Sequence, residues 1–199
     1  KFVTNSNNSQ FDPLTRTQIL IVMGVTAIVL LIVAKTWQYF GSVKILDIHF
    51  TPKACLQGLG LAAVTILSSG LLYRLWPSYR HSADAYLDLV LRPLLWPDLI
   101  WLGLLPGLSE ELLFRGVMLP ALGADWLAII VSSLIFGILH FSGRQQWPYV
   151  IWAAIVGLAL AYSALASGNL LVPIVAHVTT NFVASLIWKF NHLNSFPST

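Results

Sequence analysis

The sequence has few charged residues and only one cysteine. Lys, Arg, Asp and Glu make up 10% of its 199 residues, whereas 57% are hydrophobic, and the mean hydropathy is +0.76. Ordinary soluble domains carry about 25% charged residues. The composition therefore excludes that class and indicates a membrane protein. The single cysteine, Cys55, excludes an internal disulfide.

A strong net charge is also missing. The formal net charge is +3, and the basic residues are scattered along the chain, so nothing argues for a nucleic-acid partner. We expect a lipid bilayer with anionic headgroups as the partner instead. The chain also has no internal repeat and no low-complexity tract. The sequence leaves the oligomeric state open.

Long apolar stretches account for about six membrane spans of about 20 residues each. They predict an all-α, polytopic protein whose transmembrane helices form one bundle. We expect a flexible polar N-terminus at residues 1–16, two helices and an amphipathic loop at 17–95, a core at 96–190 and a tail at 191–199. The loop is expected to form a surface helix that packs on the bundle rather than a mobile lid.

The basic residues predict the orientation of the bundle. With six spans, the side of the two termini carries most of them, and only three lie on the opposite side. By the positive-inside rule, both termini are expected to be cytoplasmic, or stromal in a plastid. The residues on the side of the termini are Lys1, Arg16, Arg74, Arg80, Arg92, Arg144 and Lys189, and those opposite are Lys35, Lys44 and Lys53.

Ionised side chains interrupt the third apolar stretch. The only two glutamates of the chain, Glu110 and Glu111, lie there together with Arg115. Such groups are costly in hydrocarbon and usually face the protein interior or a wet cavity. On a helix, Glu111 and Arg115 share a face and are expected to form a structural ion pair, whereas Glu110 points about 100° away and needs another partner. Pro106 and Gly107 are expected to kink or unwind this helix.

Two later spans also carry polar groups. His140 ends the fourth span, and Phe136, one turn earlier, is expected to pack against it. His177 and Asn181 share one face of the sixth span. Because each of these groups must be satisfied inside the bundle, we expect them to frame one site with Glu110.

This set of groups fits peptide-bond hydrolysis. Burial disfavours an ionised carboxylate, which suits Glu110 as a general base that takes a proton from water, with His140 sharing or relaying that proton. His177 and Asn181 are expected to donate hydrogen bonds to the oxyanion of a tetrahedral intermediate. The expected substrate is a peptide or a membrane protein.

Three motifs carry a family resemblance. The pattern Glu110-Glu111-x-x-x-Arg115, then Phe136-x-x-x-His140, then His177-x-x-x-Asn181, resembles the CPBP family of type II CAAX prenyl endopeptidases and bacteriocin-processing or immunity (Abi) proteins. The resemblance covers about residues 96–188. It implies an intramembrane protease of glutamate type, in which Glu110 and His140 activate water, His177 and Asn181 form the oxyanion hole, and Glu111 and Arg115 support the site without a bound cofactor.

Other interpretations stay open from the sequence. Two histidines and a glutamate are the ligand set of a hydrolytic zinc site, so Glu110, His140 and His177 are the alternative as Zn²⁺ ligands. A non-catalytic membrane scaffold or immunity protein is a second alternative, and a proton-coupled carrier is a third. Straight helices would also leave His140 and His177 more than about 10 Å apart in depth, which would separate the proposed site.

Overall fold

The computed structural model describes residues 14–192, and all of its regular elements are helices. The predicted flexible N-terminus and the C-terminal tail lie almost wholly outside these residues. The seven principal helices are α1 (Arg16–Phe40), α2 (Pro52–Leu75), α3 (Pro77–Leu91), α4 (Trp96–Ala121), α5 (Trp126–Leu139), α6 (Trp147–Ser167) and α7 (Leu171–Asn191). A short 3₁₀ turn, Arg144–Gln146, precedes α6. The prediction of an all-α protein is confirmed.

The helices confirm a multi-pass membrane protein but not a count of about six spans. Among the described residues, four helices are long and apolar enough to cross a membrane: α1, α2, α6 and α7. The helices α3 and α4 meet at a 109° bend and count as a fifth span when they are taken together. With 14 residues, α5 is about 21 Å long, which is shorter than the hydrocarbon core of about 30 Å.

The expected surface helix is present as α3. Tyr79, Ser82 and Ala83 are buried on its inner face. At the same end of the bundle, Arg16 of α1 holds Asp98 at the start of α4 with two hydrogen bonds of 2.7 and 2.8 Å. The Lys189 ammonium of α7 donates to the carbonyls of Leu91, the last residue of α3, and of Leu94. These contacts fix four chain segments at one end.

At the opposite end, the irregular segment between α1 and α2 is tied to the rest of the bundle. The buried side chain of Asn169 accepts from the His49 N–H at 3.0 Å and donates to the His49 carbonyl at 2.8 Å. The Leu46 N–H donates to the Gly116 carbonyl of α4 at 3.2 Å. Asn169 is thus a structural residue that the sequence showed only as part of a turn.

The backbone of α4 departs from α geometry at a different place from the one expected. The α-helix Leu99–Glu111 continues through Pro106 and Gly107, so the unwinding predicted there is wrong. A π-helical turn, Leu112–Met118, follows immediately after the two glutamates. Such turns occur mostly as short insertions in α-helices and often at functional sites. Here the π turn contains Arg115.

Small residues let α7 cross α4 and α2 closely. A Cβ atom on Gly107 would lie 2.5 Å from Val178 Cγ2 and 3.1 Å from the Val178 backbone, and a Cβ on Gly58 would lie 2.6 Å from Val175 Cβ. Close approach through small residues is how membrane helices associate. It brings α4 against α7 one turn before Glu111.

A substitution at this crossing should separate the helices. We expect Gly107→Ala to lower the free energy of unfolding by about 1–3 kcal/mol, since the added methyl group overpacks the contact with Val178. Gly60→Ala is the matched control, because nothing lies within 4 Å of its added Cβ. Thermal unfolding of both purified variants in the same detergent measures the difference. Equal stability of the two variants would contradict the close crossing.

Candidate active site

The centre of the candidate site is the carboxylate of Glu111. One of its oxygens, Oε1, accepts from Arg115 Nη1 at 2.8 Å and from His177 Nδ1 at 2.7 Å. The side chains of Glu111 and Arg115 are fully buried, and that of His177 is 7% exposed. The ion pair predicted from the four-residue spacing is therefore present, and it also connects α4 to α7.

Two further helices hold the Arg115 guanidinium. Its Nη2 donates to the Gly157 carbonyl of α6 at 3.0 Å, and its Cζ lies 4.4 Å from the centre of the Phe136 ring of α5. A Cβ atom at Gly157 would come within 3.3 Å of Nη2 and 3.2 Å of Ser133. A buried cation is costly unless it is paired, and Arg115 is paired with Glu111. Because Arg115 also contacts α5 and α6, and Glu111 contacts α7, this ion pair joins four helices at one point.

Phe136 lies between the two histidines. Its ring centre is 4.7 Å from that of His140 and 5.8 Å from that of His177. The predicted packing of Phe136 against His140 is confirmed. Both imidazoles contact the same ring, so Phe136 connects the end of α5 to α7.

Hydrogen bonds indicate which nitrogen of each histidine carries a proton. His140 Nδ1 lies 2.8 Å from the Phe136 carbonyl oxygen, which can only accept, so Nδ1 is the donor. His177 Nδ1 faces the Glu111 carboxylate, which is already paired with Arg115, so it donates as well. We assign both tautomers from these partners. In each neutral imidazole, Nε2 then keeps its lone pair.

Glu110 makes no hydrogen bond to the Glu111 cluster, although its charge acts on Arg115. Its Oε2 is buried and has no hydrogen-bond partner among the described residues. Its carboxylate acts electrostatically on the hydroxyls of Tyr86 and Tyr149. These two rings stack with their centres 4.6 Å apart, and the Tyr149 ring centre is 6.3 Å from that of His140. The Tyr149 ring therefore lies beside the rings of both Tyr86 and His140.

Among the described residues, Glu110 and Asn181 make no hydrogen bond to the other candidate site residues. No hydrogen bond joins Glu110 to His140 in residues 14–192, and the side chain of Asn181, one turn after His177, has no hydrogen-bond partner there. Within the same residues, no group of three or more His, Cys, Asp and Glu side chains is arranged to hold a metal ion.

Sequence reasoning missed three contributors to this site. Neither Tyr86 nor Tyr149 stands out in the sequence, and Gly157 is one of three small residues, with Ala153 and Ala161, that recur every four positions along one face of α6. That face does pack, since Ala153 and Ala161 are buried. Nothing in the spacing indicated that the Gly157 carbonyl accepts from Arg115, because a backbone acceptor has no sequence signal.

Phe136 should matter for both stability and catalysis. We expect Phe136→Leu to cost about 1–3 kcal/mol of unfolding free energy, because it removes the ring that contacts Arg115 and both imidazoles. Phe141→Leu, at a position that is 52% exposed, is the matched control and should unfold like the parent protein. Thermal unfolding in detergent compares the variants. A Phe136→Leu variant that is as stable as the parent protein would contradict a stabilising role for the ring that contacts Arg115 and both imidazoles.

The fold and the site define a class: a multi-pass helical membrane protein with a buried glutamate–arginine–histidine cluster. A family model described as "Type II CAAX prenyl endopeptidase Rce1-like" matches residues 92–183, which include all three motifs. The chain belongs to this family, and the resemblance to the CPBP proteins is confirmed. Membership associates the chain with a family of CAAX-type endopeptidases.

Several curated relatives are uncharacterized proteins. The chain is 30% identical over 136 residues to YpbD of Bacillus subtilis (strain 168), which is 68% of this chain and 69% of that protein. A 24.3 kDa protein of Escherichia coli is 33% identical over 85 residues, 40% of this chain and 39% of that protein. YyaK of B. subtilis is 33% identical over 93 residues, 42% of this chain and 31% of that protein. No solved structure matches.

Proposed function

We propose that this chain is an intramembrane endopeptidase that hydrolyses a peptide bond with a water activated by Glu110 and His140. The observation that carries the proposal is the buried Glu110 Oε2, which has no hydrogen-bond partner among the described residues and belongs to the first family motif. Buried polar atoms in native proteins bond a protein group or an ordered water. A carboxylate oxygen in this position suits a base that holds water.

The proposed reaction uses side chains of the chain alone. Glu110 takes a proton from water as the water oxygen attacks the carbonyl carbon, and the π electrons move onto the carbonyl oxygen. The lone pair on His140 Nε2 shares or relays that proton. Collapse of the tetrahedral intermediate restores the carbonyl and breaks the C–N bond, and the proton passes to the leaving amine.

His177 and Asn181 are the proposed donors to the oxyanion. Since His177 Nδ1–H is directed at Glu111, an oxyanion donor at Nε2 requires the protonated imidazole, in which both nitrogens donate. The Glu111 carboxylate, held by Arg115, supports that cation in the way a buried acid supports the histidine of a serine-protease triad. The Asn181 amide supplies the second donor. Each such donor contributes about 3 kcal/mol in acyl-transfer sites.

The substrate class follows from the membrane location. We propose that the chain cleaves peptides or membrane proteins that reach the site from the side of the termini, which the positive-inside rule places in the cytoplasm or stroma. The test is a proteomic comparison of cells that carry the parent chain or Glu110→Ala at equal membrane levels. Peptides that accumulate uncut only with Glu110→Ala support the protease. An unchanged cellular phenotype with Glu110→Ala would favour the non-catalytic scaffold or immunity protein.

Removal of metal should leave the reaction intact. The proposed mechanism assigns every role to a side chain, so we expect cleavage by purified protein to be unchanged after dialysis against a strong chelator. A parallel sample that receives Zn²⁺ afterwards is the control. Activity that is lost in the chelator and restored by Zn²⁺ would replace this mechanism with the zinc alternative.

A further inference from the structure

A cleft lies at the end of the bundle that carries the starts of α1 and α4. It encloses about 360 Å³, which is within the range of small-ligand sites. One wall is the α3 helix and the other is the connection from α5 to α6. The lining residues are His81, Ser82, Ala85, Gly143, Arg144, Gln145 and Gln146.

This cleft adjoins the candidate active site. Ser82 in its wall accepts a hydrogen bond from the Tyr149 N–H at 3.3 Å. The Tyr149 ring in turn neighbours that of His140. The other wall begins three residues after His140. A peptide whose scissile bond lies at His140 would therefore place adjoining residues at the cleft.

Among the residues that the structure describes, the one formally charged side chain that lines the cleft is basic. Arg144 and His81 line it, and no acidic side chain does. The acids of α3 have other partners, because Asp84 accepts from the Tyr73 hydroxyl at 2.8 Å and Asp88 pairs with Arg92 at 2.8 Å. The guanidinium of Arg144 therefore has no carboxylate partner within the cleft, whereas Gln145, Gln146 and Ser82 offer further hydrogen bonds.

We propose that this cleft binds a carboxylate of the peptide substrate, with Arg144 as the residue that determines specificity. This inference rests on the proposed protease function. Arginine matches the planar carboxylate with two parallel hydrogen bonds, and the two glutamines suit the polar groups of a peptide main chain. The carboxylate belongs to an acidic side chain or to the C-terminus of the peptide.

Binding to an inactive protein tests the cleft separately from catalysis. The probes are three fluorescent peptides of one apolar sequence: one without a carboxylate, one with an internal glutamate and an amidated C-terminus, and one with a free C-terminus. They are titrated against full-length Glu110→Gln protein in phosphatidylcholine nanodiscs. We expect at least one carboxylate peptide to bind about tenfold more tightly than the neutral peptide, and the tighter of the two identifies the source of the carboxylate.

Arg144→Gln in the same background should remove that preference, and Arg74→Gln, which changes a cation outside the cleft, should retain it. Equal binding of the three peptides, or a preference that survives Arg144→Gln, would overturn the proposal. A lipid headgroup is the other possible occupant. The cleft would be assigned to it if added phosphatidylglycerol abolishes the peptide preference and Arg144→Gln lowers the amount of that lipid retained by the protein. The binding assay needs no peptide cleavage. A protein that does not bind carboxylate peptides in the cleft is therefore distinguished from a protein that binds them but does not cleave them.

Discussion

Glu110→Gln should reduce the cleavage rate by about 10²–10⁴-fold, the range that a positioned general base contributes. The substitution keeps the shape of the side chain but removes its charge and its ability to accept a proton, and it replaces one acceptor oxygen with an NH2 donor. Its buried Oε2 has no hydrogen-bond partner among the described residues, so the fold does not depend on that oxygen. The measurement is kcat of purified protein with the peptide found in the proteomic comparison.

The control for this variant is Asp88→Asn, another exchange of a carboxylate for an amide. Asp88 forms a surface pair with Arg92, and such pairs contribute little to stability. We expect this control to cleave like the parent. Equal activity of Glu110→Gln and the parent would remove Glu110 from the mechanism and leave the membrane scaffold as the better account.

Arg115→Met should be the most destabilising substitution in the described chain, with a loss of about 3–5 kcal/mol of unfolding free energy. The methionine leaves the fully buried Glu111 carboxylate without its cation, and the Gly157 carbonyl without its donor. Burial without a compensating charge makes such a carboxylate costly. The measurement is thermal unfolding in detergent, together with the amount of protein that accumulates in the membrane.

Two comparisons separate charge from side-chain volume. Arg115→Met combined with Glu111→Gln removes both charges, so we expect it to recover part of the lost stability. Arg92→Met removes a surface cation that is paired with Asp88 and should change stability by less than about 1 kcal/mol. A single Arg115→Met variant as stable as Arg92→Met would show that the buried pair does not hold the bundle.

Much of the architecture could be predicted from the sequence because hydropathy and charge spacing are local signals. Apolar runs predicted long membrane helices. The four-residue spacing predicted the contact between Glu111 and Arg115. The motif order predicted the family. The number of spans could not be predicted in the same way, since the apolar stretch that ends at His140 forms a helix of only 14 residues.

The rest of the site depends on contacts between helices, which spacing along one helix does not encode. The hydrogen bond from His177 to Glu111 joins residues 66 positions apart, so the sequence suggested a supporting role for Glu111 without its partner on α7. The stacking of Tyr86 on Tyr149 similarly depends on α3 lying against α6. The π turn at residues 112–118 contains Gly116, but a single glycine does not distinguish it from ordinary helix.

We propose that α4 and α5 bring Glu110 and His140 together as one catalytic unit. A double-mutant cycle on kcat/KM with Glu110→Gln, His140→Gln and the double variant tests it most directly, because residues that act as a unit are strongly non-additive. We predict that the double variant loses no more activity than the worse single variant. Losses that multiply, so that the double variant shows the product of the two single effects, would contradict a shared site.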